Sequence, residues 1–255
     1  MNMANNMKQV FLYRCRKNDK YNIDAFCEDC INGTIYSEFL QYGELNAWIP
    51  PETLKKYGAT EDREKGIAET IINNCAQNYY LACFSLTNPL TNRHLLIKYA
   101  GRSGFIVVYN YDVLDSDKNV ATMRDKTILE LRKVHYSDKK FNLLPIVSHL
   151  LIMADEHEGT DKEFEAKIEK YVKTHSYSKE AAKCTIDLFC HKGYKYRIEN
   201  EVRLVLQKIK YKSKYINLLK SKPVKVIVSR KMDILSKVKI ENHAKEVGIL
   251  IDYYD

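Results

Sequence analysis

Short apolar runs rich in Val, Ile, Phe and Tyr recur along this chain, and they constrain its class more than any other feature. YLACFSL (80–86) and GFIVVYNYDVL (104–114) are apolar at nearly every position, as strands covered on both faces must be, and they read as central strands. QVFLYRCR reads as the first strand. PVKVIVS and VGILIDYY read as the last two, with a helix from about residue 231 to 245 between them.

Helical periodicity fills much of the remainder. Asn22 is placed to cap a helix through Ile31, closed by Asn32-Gly33 and followed by the extended piece TIYSEF. Glu61, Asp62 and Glu64 open a helix whose stripe is Ile67, Ala68, Ile71, Ile72 and Cys75, ending near Asn78. RKVHYS is a short strand. From Asn142 to Cys190 the pattern turns helical in three pieces, the last with Ser178 as N-cap. The expected fold is α+β: a mostly antiparallel or mixed sheet core with surrounding helices, in a single domain over residues 1–255 with a helical insertion at about 142–190.

Composition narrows the function classes. With 45% hydrophobic and 29% charged residues, the chain has the make-up of a globular protein. The opening MNMANNMKQ lacks the apolar core of a secretory signal, and no run approaches the roughly 20 apolar residues that span a bilayer. A cytoplasmic location without a membrane partner is expected. The cysteines are odd in number and irregularly spaced, which suits reduced thiols. Cys27 and Cys30 of CEDC fall with Ile23, Phe26 and Ile31 on one helical face, so they read as core residues and not as zinc ligands. The net charge of +8 comes mainly from lysines, dense and interleaved with tyrosine in KIKYKSKYINLLKSKPVKVIVSRK. That stretch is either a solvated basic surface or a grip for nucleic acid.

The chemistry-bearing stretch is YRIENEVRLVL, Tyr196 to Leu206. Read with period two, it sets Tyr196, Ile198, Val202, Leu204 and Leu206 on one face and Arg197, Glu199, Glu201 and Arg203 on the other. Two carboxylates about 6.6 to 6.8 Å apart along a strand feel each other's charge. Arg197 and Arg203 flank them and would hold both ionised. A ladder of solvated alternating charges is the plain reading, and a functional one needs partners elsewhere in the chain.

Those partners come from a resemblance. LYRC, ACFS, KYAGRSGFIVVY, VHY and ENEVR, in that order, resemble a bacterial family of uncharacterised proteins, domain-of-unknown-function family 2971, over about Leu12 to Tyr254. Glu199-x-Glu201-x-Arg203 and Phe84-Ser85 are its most specific elements. The order is also similar to ADP-ribosyltransferases of the arginine-serine-glutamate type. That likeness implies an ADP-ribosyltransferase-like sheet and NAD as the cosubstrate. Arg14 would contact the phosphate or ribose and Ser85 would steady the nicotinamide half. Glu201 would be the catalytic acid, and Glu199 would orient or deprotonate an acceptor. Tyr99 offers a ring for stacking on nicotinamide or adenine, although a tyrosine-rich chain has many packing tyrosines. Arg16 competes with Arg14 for the cofactor.

The resemblance implies cleavage of the nicotinamide-ribose bond and transfer of ADP-ribose to a macromolecule or to water, as in toxins and antiviral defence effectors. The acceptor stays open, nucleic acid included. Two rival readings are a nucleic-acid-binding module built on the C-terminal lysines and tyrosines, and a catalytically inactive partner-binding protein.

Overall fold

In the computed structural model, residues 9–37, 47–48, 76–125, 128–139, 141–143, 159–160, 162–163, 166–167, 170, 179–207 and 213–255 are described. The strands are β1 (Phe11–Arg16), β2 (Cys30–Ile35), β3 (Ala47–Trp48), β4 (Tyr79–Ser85), β5 (Phe105–Asn110), β6 (Ile128–Lys133), β7 (His135–Tyr136), β8 (Phe141–Asn142), β9 (His191–Lys192), β10 (Glu201–Gln207), β11 (Tyr215–Lys220), β12 (Lys225–Ser229) and β13 (Leu250–Tyr254). Nine of them form one sheet in the order β11-β2-β4-β1-β5-β12-β13, with β10 joined to β4 and β6 to β10. Only β12 and β13 run parallel within it, linked by the helix Ile234–Val247, and the other pairs are antiparallel. The architecture is α+β, with a mixed, mostly antiparallel sheet.

Alternation along β1 and β5 places the core. Leu12, Phe105, Val107 and Tyr109 join the large cluster on one face of the sheet, beside Phe26, Phe84, Leu204, Val226 and Ile240. Ile106 and Val108 point the other way, into a smaller cluster with Ile227 and Tyr254 against which Phe11, Tyr13 and Cys15 pack. Strand β5 is thus buried at every position, as its continuous apolar run requires.

The sheet forks at β4. One edge of β4 pairs with β10 along its whole length, from Ser85↔Glu201 to Tyr79↔Gln207. The other edge meets β2 at Tyr80 and Leu81 and meets β1 only at Ser85. Strands β1 and β2 therefore splay apart beside Ala82–Phe84, and this fork holds the cavity described below.

Four expectations need correction. The first helix is Lys20–Cys27, capped by the Asp19 carboxylate on the Asn22 amide at 2.9 Å, and Asn22 is not its cap. It stops because Asp29 turns left-handed (φ 51°), so Cys30 and Ile31 begin β2 and do not share a helical face with Cys27. Strand β5 ends at Asn110 and not at Leu114. The Asn110 side chain accepts from the amides of Asp112 (2.9 Å) and Val113 (3.1 Å), starting the helix Tyr111–Asp125 that alternation alone hid. RKVHYS is divided between the end of β6 and β7. Finally, the strand expected from Tyr196 begins only at Glu201. Tyr194–Glu199 is a 3-10 turn closed by Asn200 in the left-handed region (φ 43°), a conformation asparagine tolerates. Ile198, expected in the core, is 57% exposed, while Val202 and Leu204 are buried as expected.

The third helical piece of the expected insertion is the helix Lys179–Phe189. Most of the first two pieces, and nearly all of the helix expected over Glu61–Asn78, lie outside the described residues. Among the described residues no helix is long and apolar enough to cross a membrane.

The approach of β1 to the turn before β5 leaves no room for a side chain at Gly104. A Cβ there would collide with the carbonyl oxygens of Ala100 and Arg16, both backbone atoms that cannot swing away. Gly104→Ala is expected to lower stability by about 3 kcal/mol, read as a fall in the urea midpoint at unchanged slope.

Candidate active site

A cavity of about 620 Å³ opens at the fork between β1 and β2, within the roughly 300–1,000 Å³ usual for small-molecule sites. Arg14, Ser85, Tyr99, Glu199 and Glu201, drawn from five separate elements, all line it. The two glutamates and the two arginines of β1 are all among its lining residues.

Glu201 is the first residue of β10 and sits opposite Ser85 of β4. Its backbone amide donates to the Tyr136 hydroxyl at 2.8 Å. Its Oε1 accepts from Arg203 Nε at 2.9 Å, and its Oε2 from Arg203 Nη2 at 3.2 Å and Lys192 Nζ at 3.3 Å. Burial pushes its pKa up, but the charges of Arg203 and Lys192, with bonds from Arg203 and the Cys83 thiol, outweigh that and bring it to about 2. Arg203 lies two residues on along β10, so the pleat returns its guanidinium to the same side as Glu201. Its Nη1 is anchored on the Phe189 carbonyl oxygen.

Glu199 comes from the 3-10 turn and is 4% exposed. Its Oε1 accepts from Lys98 Nζ and the Tyr99 hydroxyl, each at 2.8 Å, and its Oε2 accepts from Lys192 Nζ at 2.6 Å. Burial raises its pKa, while Lys192 and the bonds from Lys192, Lys98 and Tyr99 lower it further than burial raises it. Three donors make Glu199 a firm acceptor and a weak base. Ser85 fixes this turn: its Oγ donates to the Glu199 carbonyl at 2.8 Å and accepts from the Thr87 amide at 3.0 Å.

Arg14 and Arg16, two apart on β1, both line the cavity. Arg14 is 5% exposed, donates to the Asn32 carbonyl oxygen and lies 5.6 Å from the Phe84 ring centre. Its Nε is buried and has no hydrogen-bond partner among the described residues. Arg16 donates to the side-chain oxygens of Asn22 and, at 2.7 Å, Asn32. Burial, and then the like charge of Arg14, push the Arg16 pKa down to about 9. Among the described residues neither guanidinium has a carboxylate within 4.0 Å. Two partly dehydrated cations held on neutral oxygens make a seat for an anion.

The cations that hold the acids differ from those expected. Arg203 holds Glu201, but Arg197 faces outward and stacks 4.3 Å over the Tyr194 ring, because the 3-10 turn rotates it away from Glu199. Lys192 and Lys98 take its place. Nothing in local spacing marked them: Lys192 is carried by β9, which pairs in parallel with β7, and Lys98 by the helix Arg93–Tyr99. Tyr99 meets Glu199 through its hydroxyl, and its ring is 36% exposed.

No family model, no curated protein and no solved structure matches this chain.

Lys192 is the shared counter-ion, and its removal has a pH signature. The folded pKa of Glu201, about 2 against an ordinary 4.5, means that its pairing stabilises the fold above pH 4.5 and that this stability is lost as pH falls toward 2. Lys192→Met leaves two buried carboxylates with one cation fewer. It is expected to cost about 3 kcal/mol at pH 7 and to move the acid-unfolding midpoint to higher pH. Urea melts from pH 7 down to pH 3 should show the gap to wild type narrowing as the carboxylates protonate.

Proposed function

We propose that the protein is an ADP-ribosyltransferase-like enzyme that takes NAD into this cavity, cleaves its nicotinamide-ribose bond and passes ADP-ribose to a macromolecule or to water. One observation carries the reading. An arginine pair with no carboxylate within 4.0 Å among the described residues and a glutamate pair held below the usual carboxylate pKa by neighbouring cations line one cavity of about 620 Å³. The resemblance to family 2971 and to arginine-serine-glutamate transferases supplies the same residues in the same order.

The chemistry follows from charge. The bond between ribose C1′ and the nicotinamide nitrogen breaks with its electron pair leaving on nitrogen. Nicotinamide departs neutral and C1′ becomes cation-like. Glu201 stabilises that developing charge, and Arg203 and Lys192 keep it ionised at every physiological pH. The pyrophosphate answers Arg14 and Arg16. Ser85, tied to the Glu199 carbonyl, keeps the turn and β10 in register beside the nicotinamide end. Glu199 orients the incoming hydroxyl or water by accepting its hydrogen bond. The new bond forms from that oxygen to C1′, and the proton passes to solvent, since a carboxylate lowered below its ordinary pKa by Lys192 does not retain it.

Glu201→Gln keeps side-chain shape and removes the charge, so NAD cleavage should fall about 100-fold or more, equivalent to roughly 3 kcal/mol. Glu199→Gln should spare hydrolysis and weaken transfer to an acceptor. Arg14→Ala should raise the NAD concentration required more than it lowers turnover, its contact being the same before and during cleavage. The assay is free nicotinamide released from NAD by folded protein, with and without cell lysate as acceptor. Wild-type protein that releases none, or a Glu201→Gln variant as fast as wild type, would overturn the enzyme reading.

A further inference from the structure

The rim beside Glu199 is formed by two segments, the helix Arg93–Tyr99 (RHLLIKY) and the start of the 3-10 turn, YKYRI (194–198). Neither contains an acid. Arg93, Lys98, Lys195 and Arg197 are exposed there. Between the cations stand apolar groups that folding leaves in water: Tyr194 at 47%, Ile198 at 57% and Ile97 at 51% exposure.

Cations and rings interleave on this rim. Arg197 lies 4.3 Å over Tyr194, Lys195 5.0 Å over Tyr196, and Lys98 4.8 Å over Tyr99. Lys98 and Tyr99 reach inward to Glu199, so the rim continues into the cavity wall. Besides Glu199 within the turn, Asp138 touches it, accepting from the Tyr194 amide at 3.2 Å. Three exposed cations, Arg93, Lys195 and Arg197, together with the half-exposed ring of Tyr194 suit a strand of phosphates carrying unstacked bases. An acidic peptide would use the charges but leave the tyrosine faces unanswered, and a duplex would hide the bases that the rings could stack.

We propose that this rim docks single-stranded nucleic acid and presents it to Glu199 as the acceptor. The acceptor role rests on the NAD-cleaving reading, whereas the docking does not. This surface is separate from the C-terminal lysines, which makes the two distinguishable.

The test is fluorescence anisotropy of a labelled single-stranded DNA of about 12 nucleotides, titrated with full-length protein without NAD. Lys195→Glu/Arg197→Glu is compared with Lys220→Glu/Lys222→Glu, a pair of exposed lysines in the C-terminal basic stretch whose reversal changes net charge equally. The rim pair should weaken binding at least about tenfold and flatten its salt dependence, and the control pair less than about threefold. Tyr194→Ala, which alters no charge, should weaken it about tenfold by removing a stacking face. Equal losses in the two charge-reversed proteins, undetectable binding by wild type, or competition by polyglutamate as effective as by unlabelled oligonucleotide would overturn the proposal. Since NAD is absent, failure of nicotinamide release counts against the enzyme reading alone and leaves this result standing.

Discussion

The ammonium of Lys192 is buried at 1% exposure between two carboxylates, and the arrangement of the site depends on it. Without a shared cation Glu199 and Glu201 would repel each other in a poorly hydrated space, and one of them would take up a proton. With Lys192 between them, Arg203 on one and Lys98 on the other, three cations face two anions and both stay charged. Such a network is costly to dehydrate and adds little net stability over an apolar core, so its presence points to a use for fixed charge.

The fork in the sheet makes that charge accessible. Had a single strand paired with the second edge of β4 along its whole length, Cys83 and Phe84 would be closed in between strands. Because the pairing fails beside Ala82–Phe84, space opens beneath the ends of β4 and β10 where Ser85 and Glu201 face each other. The same splaying leaves Asn32 of β2 free to hold both arginines by its carbonyl and side-chain oxygens.

How legible this was depends on the range of the interaction. Strands β4, β5 and β12 were readable because a buried strand shows an apolar run whatever its neighbours, and β1 and β13 carried enough apolar residues to be read although β13 is mostly exposed. Arg14, Ser85, Tyr99, Glu199 and Glu201 were legible through a motif order, and they do line one cavity. What misled was a period of two continued across Asn200: Tyr196, Ile198, Val202 and Leu204 share one face, yet Asn200, the one polar residue interrupting that face, turns left-handed and separates turn from strand. The only periodic trace of the reversal is that polar position, and a single asparagine is a weak cue. Lys192 was invisible for a different reason. Its role exists only after β9 pairs with β7 and β10 with β4, a three-way meeting that no local spacing encodes.

The turn at Tyr194–Glu199 joins the two halves of the functional argument. Had the chain run on as a strand, Glu199 and Arg197 would have shared one face, and the arginine would have neutralised the acid from the next position on that face. The 3-10 turn instead sends Glu199 inward to Lys98, Tyr99 and Lys192 and sends Arg197 and Ile198 outward. One short element therefore supplies a fixed anion to the cavity and a cation with an exposed apolar group to its rim. A group bound on the rim through Arg197 and Tyr194 would lie at the mouth beside Glu199. Under the proposed NAD-cleaving reading, transfer to a docked strand and hydrolysis by water would differ only in what occupies that mouth.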